Sequence, residues 1–316
     1  IWLILLTIPF TFWERFTQSI YMGKQEFKFF NIATLLNKLC IIALLIIQIY
    51  VWKTPLAYIA LTYTILTIIL PVIFMFHLAH NQQNTWAFDW NFFKNTVNFG
   101  LRAFISGLLG FLTIRSDIFI INALRNLNDV GLYSLAVNFT DEIFLIASSI
   151  SLVLFPHISE NQNQSLETTL KVTRTLSLFL IIILTIAMIC AKPIILYLFG
   201  NNFADSIKPF YILSIAIYFL SLCTILSQFF ASKEFPWKAV LAWIPGLLIN
   251  IVLNLIWIPH YGIIAAAASS LLAYFLTFIF YYLLLQNYEN IAIQDVLIPK
   301  KLEIINLKNH IADRLK

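Results

Sequence analysis

An all-α, polytopic membrane helix bundle of about nine spanning helices is the fold class that three observations predict. The 316 residues are 60% hydrophobic and only 11% charged, with a mean hydropathy of +0.85; an average soluble domain carries roughly 25% charged residues. Several apolar runs reach the roughly 20 residues that a helix needs to cross a bilayer. Short polar links carrying basic residues separate those runs.

Taken in order, the apolar windows place spans at 1 to 14, 30 to 51, 56 to 78, 99 to 122, 131 to 155, 172 to 192, 208 to 231, 238 to 258 and 262 to 286. The first opens inside the apolar run IWLILLTIPFTFW without a Met, so it is expected to be a truncated helix. No secretory signal peptide is visible in the sequence. The longest polar stretches are residues 80–98 and the tail after Gln286. Neither has the roughly 50 residues of a small separate domain. In the tail, Leu302, Ile305, Leu307, Ile311 and Leu315 occur among lysines, a pattern open to an interfacial amphipathic helix or to solvated disorder.

The basic residues set an expected orientation, because Lys and Arg accumulate on the cytoplasmic side. With the tail inside, 13 of the 20 Lys and Arg fall in cytoplasmic positions, and only Lys53, Arg125, Lys192 and Lys208 face out. An internal repeat fits the same frame. The first three spans and the last three share the order helix, basic link (YMGKQEFK; FASKEFPWK), helix with Asn, Pro turn, helix, at an offset near 209 residues. A duplicated six-helix lobe follows. Residues 1–78 are read as the second half of an N-terminal lobe, 79–98 as a cytoplasmic linker, 99–287 as a whole C-terminal lobe of six helices, and 288–316 as a cytoplasmic tail. Two pseudo-symmetric lobes, twelve helices in all, would make the intact protein.

Ionised side chains inside a span are expensive and therefore informative, at roughly 2.5 to 3.5 kcal/mol on insertion scales. In the fourth span Arg102, Ser106, Gly110, Thr113 and Asp117 recur at helical spacing, a small polar stripe that should face protein or water. Arg115 lies two residues from Asp117, nearly opposite on the helix, so it needs a partner elsewhere. The hairpin link centres near residue 127, which sets Arg115 level with about residue 139 of the returning helix, beside Asn138, Asp141 or Glu142. Those two carboxylates lie near mid-membrane, about 15 Å deep at 1.5 Å per residue. Ser134, Asn138, Asp141 and Ser148 form a second stripe. Either a structural ion pair or a polar pathway fits these residues. Lys38, on a face with Asn31 and Thr34, is close enough to a helix end to snorkel. Asn250 and Asn254, four apart, are expected to bridge helices.

Several chemistries are not expected. Cys40, Cys190 and Cys223 sit in apolar windows without metal spacing, and His77 and His80 have no third ligand nearby. Asn138-Phe139-Thr140 matches a glycosylation sequon inside a span, where it is inaccessible. No nucleophile elbow, zinc-protease motif or phosphate loop occurs. No metal, cofactor, nucleic-acid partner or enzymatic activity is predicted.

The stretch FGLRAFISGLLGFLTIRSDIFIINALRNLNDVGLYSLAVNFTDEIFLIASSISLVLFPHIS resembles the start of the second lobe in bacterial polysaccharide transporters of the O-antigen flippase type. Their superfamily also contains multidrug and toxin extrusion antiporters and lipid II flippases. LFGNNFADSIKPFYIL, FASKEFPWK and LNLIWIPHYGIIAAAASSLLAY resemble the family's last four helices. The resemblance implies alternating access that carries an undecaprenyl-pyrophosphate-linked O-antigen or capsule repeat unit across a bacterial inner membrane. Basic cavity residues would meet the pyrophosphate, and acidic ones would couple to H+ or Na+. It places Arg102, Arg115, Asp117, Asp141 and Glu142 on cavity-lining helices. The alternatives are a multidrug or cation antiporter of the same superfamily and, from another class, a membrane-embedded glycan polymerase or ligase. Such enzymes resemble many-helix proteins with a large outward loop, and the longest outward loop here is roughly ten to fifteen residues.

Overall fold

The computed structural model describes residues 2–24, 26–80 and 88–300. Its long helices are α1 (Trp2–Gly23), α2 (Phe27–Ile46), α3 (Leu56–His80), α4 (Trp90–Leu124), α5 (Leu127–Glu160), α6 (Ser165–Phe199), α7 (Ile207–Ser232), α9 (Trp243–Tyr261) and α10 (Ile263–Gln286). Two five-residue helices, α8 (Trp237–Leu241) and α11 (Ile293–Leu297), complete the order, and no strand occurs among the described residues. The predicted all-helical class is what forms, because only a helix satisfies its own backbone in hydrocarbon.

Eight segments among the described residues are long and apolar enough to cross a membrane. The ninth expected span differs from its prediction. α1 is not a stub ending near residue 14 but runs on through Glu14 and Arg15 to Gly23, and it is not one of the eight. α4, α5 and α6 outrun their apolar windows at both ends. α4 starts at Trp90 and α6 at Ser165, since helical hydrogen bonding continues into the interfacial turns. The amphipathic pattern expected after residue 301 lies outside the described residues.

The chain divides into two compact units, residues 1–89 and 90–316. In the first, Tyr21, Phe30, Leu70 and Phe74 form a small aromatic core, and the Tyr21 hydroxyl is hydrogen-bonded to His77 Nδ1 at 2.6 Å.

The second unit is built around α7, which is buried along most of its length. Its interior has two apolar layers. One gathers Ile121, Tyr133, Ala136, Phe210, Ile258 and Ala265 to Ala267 toward the α4–α5 link. The other gathers Leu226, Phe230, Trp243, Ala273, Phe278 and Tyr281 toward the opposite end. α10 passes through both, with Ser269 and Ser270 between them.

Small residues let these helices approach closely, the usual device where lipid offers no hydrophobic drive for helix pairing. At Gly246 of α9, an added Cβ would sit 2.1 Å from Thr277 Oγ1 and 2.8 Å from the Ala273 carbonyl oxygen. The α9–α10 link turns on Gly262, whose φ of +63° lies in the left-handed region that favours glycine. Asn126 caps α5 by accepting from the Asp129 N–H at 2.8 Å, and Arg125 donates to Asp129 at 2.8 Å. Leu101, Phe104, Leu108 and Phe119 form the exposed face of α4, suited to lipid.

Candidate functional site: a buried carboxylate network

The small polar stripe of α4 turns inward. Ser106, Gly110, Thr113, Ser116 and Asp117 are all buried. Thr113 returns its hydroxyl to the Leu109 carbonyl oxygen one turn back, at 2.8 Å, which satisfies it locally. Asp117, 1% exposed, has no such local solution for a charge and draws donors from three directions. Its own helix supplies the Ile118 N–H at 2.8 Å. The Tyr133 hydroxyl of α5 donates to Oδ2, and so does the Ser270 hydroxyl of α10 at 3.0 Å.

Behind Ser270 the network extends into α9. Asn250 Nδ2 donates to Ser270 Oγ at 3.2 Å. Asn250 Oδ1 accepts from Ser116 at 2.7 Å and from Asn254 Nδ2 at 2.9 Å. Every link from Asn254 through Asn250 and Ser270 therefore points its donor toward Asp117. This polarity suits an ionised carboxylate, and no cation lies within ion-pair distance of it among the described residues. One oxygen stays unused: Asn254 Oδ1 is buried without a hydrogen-bond partner. The result is a water-excluded cluster of carboxylate, hydroxyl and amide oxygens drawn from four helices. Such oxygens suit a proton or a hard cation.

Arg115 leaves this cluster and reaches α5, where Nη2 meets Asp141 Oδ2 at 2.6 Å. Both side chains are half-buried, at 33% and 28% exposed. Asp141 is thus its partner among the three candidates, while Asn138 and Glu142 are exposed and join neither the ion pair nor the network. The inward face of α5 carries Leu132, Tyr133, Ala136, Val137 and Thr140. Its polar stripe of Ser134, Asn138, Asp141 and Ser148 is the more open face. Arg102 donates to the Asn98 and Phe235 carbonyl oxygens at 3.3 and 3.4 Å and pairs with no carboxylate among the described residues. Lys38, exposed on α2, belongs to the other compact unit. No group of three or more metal-ligating side chains occurs among the described residues.

Sequence reasoning picked Asp117 but missed Tyr133, Ser116 and Ser270, and it gave Asn250 and Asn254 only a bridging role. A signal existed: Asn250 and Asn254 share one face of α9, and Ser270 closes an unusually small-residue run on α10. Nothing local says that these faces meet.

Comparison with known proteins fits this geometry. Residues 1–208 match the family described as polysaccharide biosynthesis protein. The probable low-salt glycan biosynthesis flippase Agl15 of Haloferax volcanii is 23% identical over 210 residues, covering 64% of this chain and 44% of that protein. An uncharacterized membrane protein of Methanocaldococcus jannaschii is 30% identical over 144 residues, covering 45% and 34%. The chain thus spans less than half the length of these relatives. Among solved structures, a mutant of the Vibrio cholerae MATE transporter VcmN superposes with a TM-score of 0.73 at 14% identity, covering 87% of this chain and 66% of that one. The lipid II flippase MurJ, in an inward closed conformation, gives 0.62 at 16% identity, covering 89% and 61%. The fold is the one these two transporters share, and the relatives named by function are transporters, not enzymes. With the match extending over residues 1–208, the chain belongs to the polysaccharide biosynthesis protein family.

Proposed function

We propose that this protein moves a lipid-linked oligosaccharide across a membrane by alternating access, with the Asp117 network as the site that couples movement to an ion. The observation that carries this reading is the network itself. A carboxylate buried in a span, with no countercharge in contact, is retained at a cost that packing alone does not offset. Its donors come from α4, α5 and α10 and α9 donates to Ser270 behind them, so whatever binds there acts on the packing of four helices at once. A proton arriving on Asp117 removes one acceptor and forces Tyr133 or Ser270 to turn. An alkali cation instead draws the Asp117, Asn254 and Ser270 oxygens together. Either event changes how tightly α4 and α5 are held to α9 and α10, and that is the two-state element alternating access needs.

The family and the flippases among its relatives support glycan export as the purpose. In finer detail, the substrate is an undecaprenyl-pyrophosphate-linked O-antigen or capsule repeat unit. The membrane is the bacterial cytoplasmic membrane, with the C-terminus inside, as the basic residues favour. Residues 1–78 then belong to the first lobe, 79–98 link the two, and 99–287 form the second.

A multidrug or cation antiporter of the same fold is the competing reading. It is favoured by one observation: Arg115 is neutralised by Asp141, which leaves Arg102 as the unpaired arginine of α4. Deleting the gene separates the two. Glycan export predicts loss of surface glycan with lipid-linked repeat units accumulating inside. Intact surface glycan with altered tolerance of cationic drugs would establish the antiporter instead.

A further inference from the structure

A cavity of about 260 Å³ opens between α4, α7 and the start of α9, away from the Asp117 network and without a residue of α5 in its lining. Its volume falls below the roughly 300 to 1,000 Å³ of sites that enclose a whole drug-sized ligand. A single ring fits it; an oligosaccharide does not.

Its chemistry is two-sided. Phe111 and Phe235 present aromatic carbon, while Ser106, Thr224 and Ser227 present hydroxyls. Thr224 and Ser227 donate to carbonyl oxygens of their own helix, at 3.0 and 2.8 Å, which leaves their oxygens free to accept. Ser106 is 5% exposed and, unlike most buried hydroxyls of these helices, does not bond back to its own turn. Next to it lies the Tyr281 hydroxyl, wholly buried. It approaches Ser106 and Trp243 but makes no hydrogen bond of ordinary geometry. An orphaned hydroxyl at this depth is destabilising unless something enters to satisfy it or its neighbour.

One helical turn before Ser106 stands Arg102, half-buried, with carbonyl oxygens as its partners and no carboxylate. A pyranose has an apolar C–H face and a rim of hydroxyls. In a lipid-linked glycan its anomeric oxygen leads directly to a diphosphate. The geometry points to this cavity as the subsite for the sugar next to the diphosphate, with Arg102 facing the diphosphate at the mouth; this rests on the flippase reading above. The second lobe would then select its cargo by the first sugar, not by the lipid.

Gly107 offers the test, because it lines the cavity and an added Cβ there meets nothing within 4 Å. Gly107→Leu fills the space while improving helix propensity. The purified protein in lipid nanodiscs is titrated with farnesyl diphosphate and with farnesyl diphosphate carrying glucose, galactose, N-acetylglucosamine or N-acetylgalactosamine. In the unaltered protein at least one sugar is expected to raise affinity by about tenfold over the bare lipid. In Gly107→Leu that ratio falls to about one. Thr224→Val with Ser227→Ala, which keeps the shape and removes two hydroxyls, should lower it as well, and this pair serves if Gly107→Leu does not fold. A ratio near one for every sugar in the unaltered protein, or an unchanged ratio in the variants, overturns the subsite. If neither bare nor sugar-bearing lipid binds at all, the flippase reading itself fails.

Discussion

Asp117 shows how differently two substitutions at one position should behave. Asn keeps the size and can still accept from Tyr133 and Ser270, so the network loses its charge and little else. Interhelical hydrogen bonds in membranes average about 0.6 kcal/mol, and the protein should therefore insert and accumulate within about twofold of the unaltered level. Leu instead strands the Tyr133 and Ser270 donors in a dry interior, at roughly 1 to 3 kcal/mol each. We expect Asp117→Asn to be present in the membrane but unable to restore surface glycan to a deletion strain. Asp117→Leu should be depleted from the membrane. Immunoblots of membrane fractions beside glycan staining read both outcomes, and an active Asp117→Asn protein would remove the coupling role. Arg115, two residues away, does a different job. Its contact with Asp141 at 2.6 Å ties α4 to α5 on the open side of both helices.

Glycines of the same bundle divide by what surrounds them. Gly246 brings α9 against α10 so closely that a methyl group would collide with the Ala273 backbone carbonyl as well as with Thr277. A backbone atom cannot rotate away. Gly246→Ala should cost about 1 to 3 kcal/mol, the usual range for overpacking a tight contact. Gly107→Ala, facing open space, should be neutral or gain up to about 1 kcal/mol from helix propensity. Thermal midpoints followed by size-exclusion profiles will show Gly246→Ala falling and Gly107→Ala unchanged or rising. The reverse order would mean that α9 and α10 do not approach as described. The elements themselves follow from simple causes: Asn126 starts α5, Gly262 separates α9 from α10, and the small residues from Ala265 to Ser270 let α10 pack closely as it passes through both apolar layers.

At the scale of the whole molecule, residues 90–316 contain two interior layers, and the carboxylate network lies within the same unit. Such a unit has a core of its own, the usual requirement for folding alone. Expressed without residues 1–89, it should insert and give a stable membrane-embedded fragment under limited proteolysis. Complete digestion would show that its core depends on the preceding helices. Among the described residues of 1–89 the core is a small aromatic one, and their fragment should be the more labile.

The sequence by itself determined the class of fold, since runs of apolar residues near membrane length permit nothing but helices. It also determined the inward stripe of α4 and the level at which Arg115 meets its neighbour, because period and rise are local properties of a helix. It misjudged the first helix, where Glu14 and Arg15 interrupt the apolar pattern without ending the helix. What only the tertiary structure decided is which partners surround Asp117. Tyr133 lies 16 residues away and Ser270 lies 153 away, and the order in which helices pack around α7 is not written in the periodicity of any one of them. The small polar stripe that the sequence shows becomes, once α5, α9 and α10 close on it, the seat of a single buried acceptor inside the compact unit of residues 90–316.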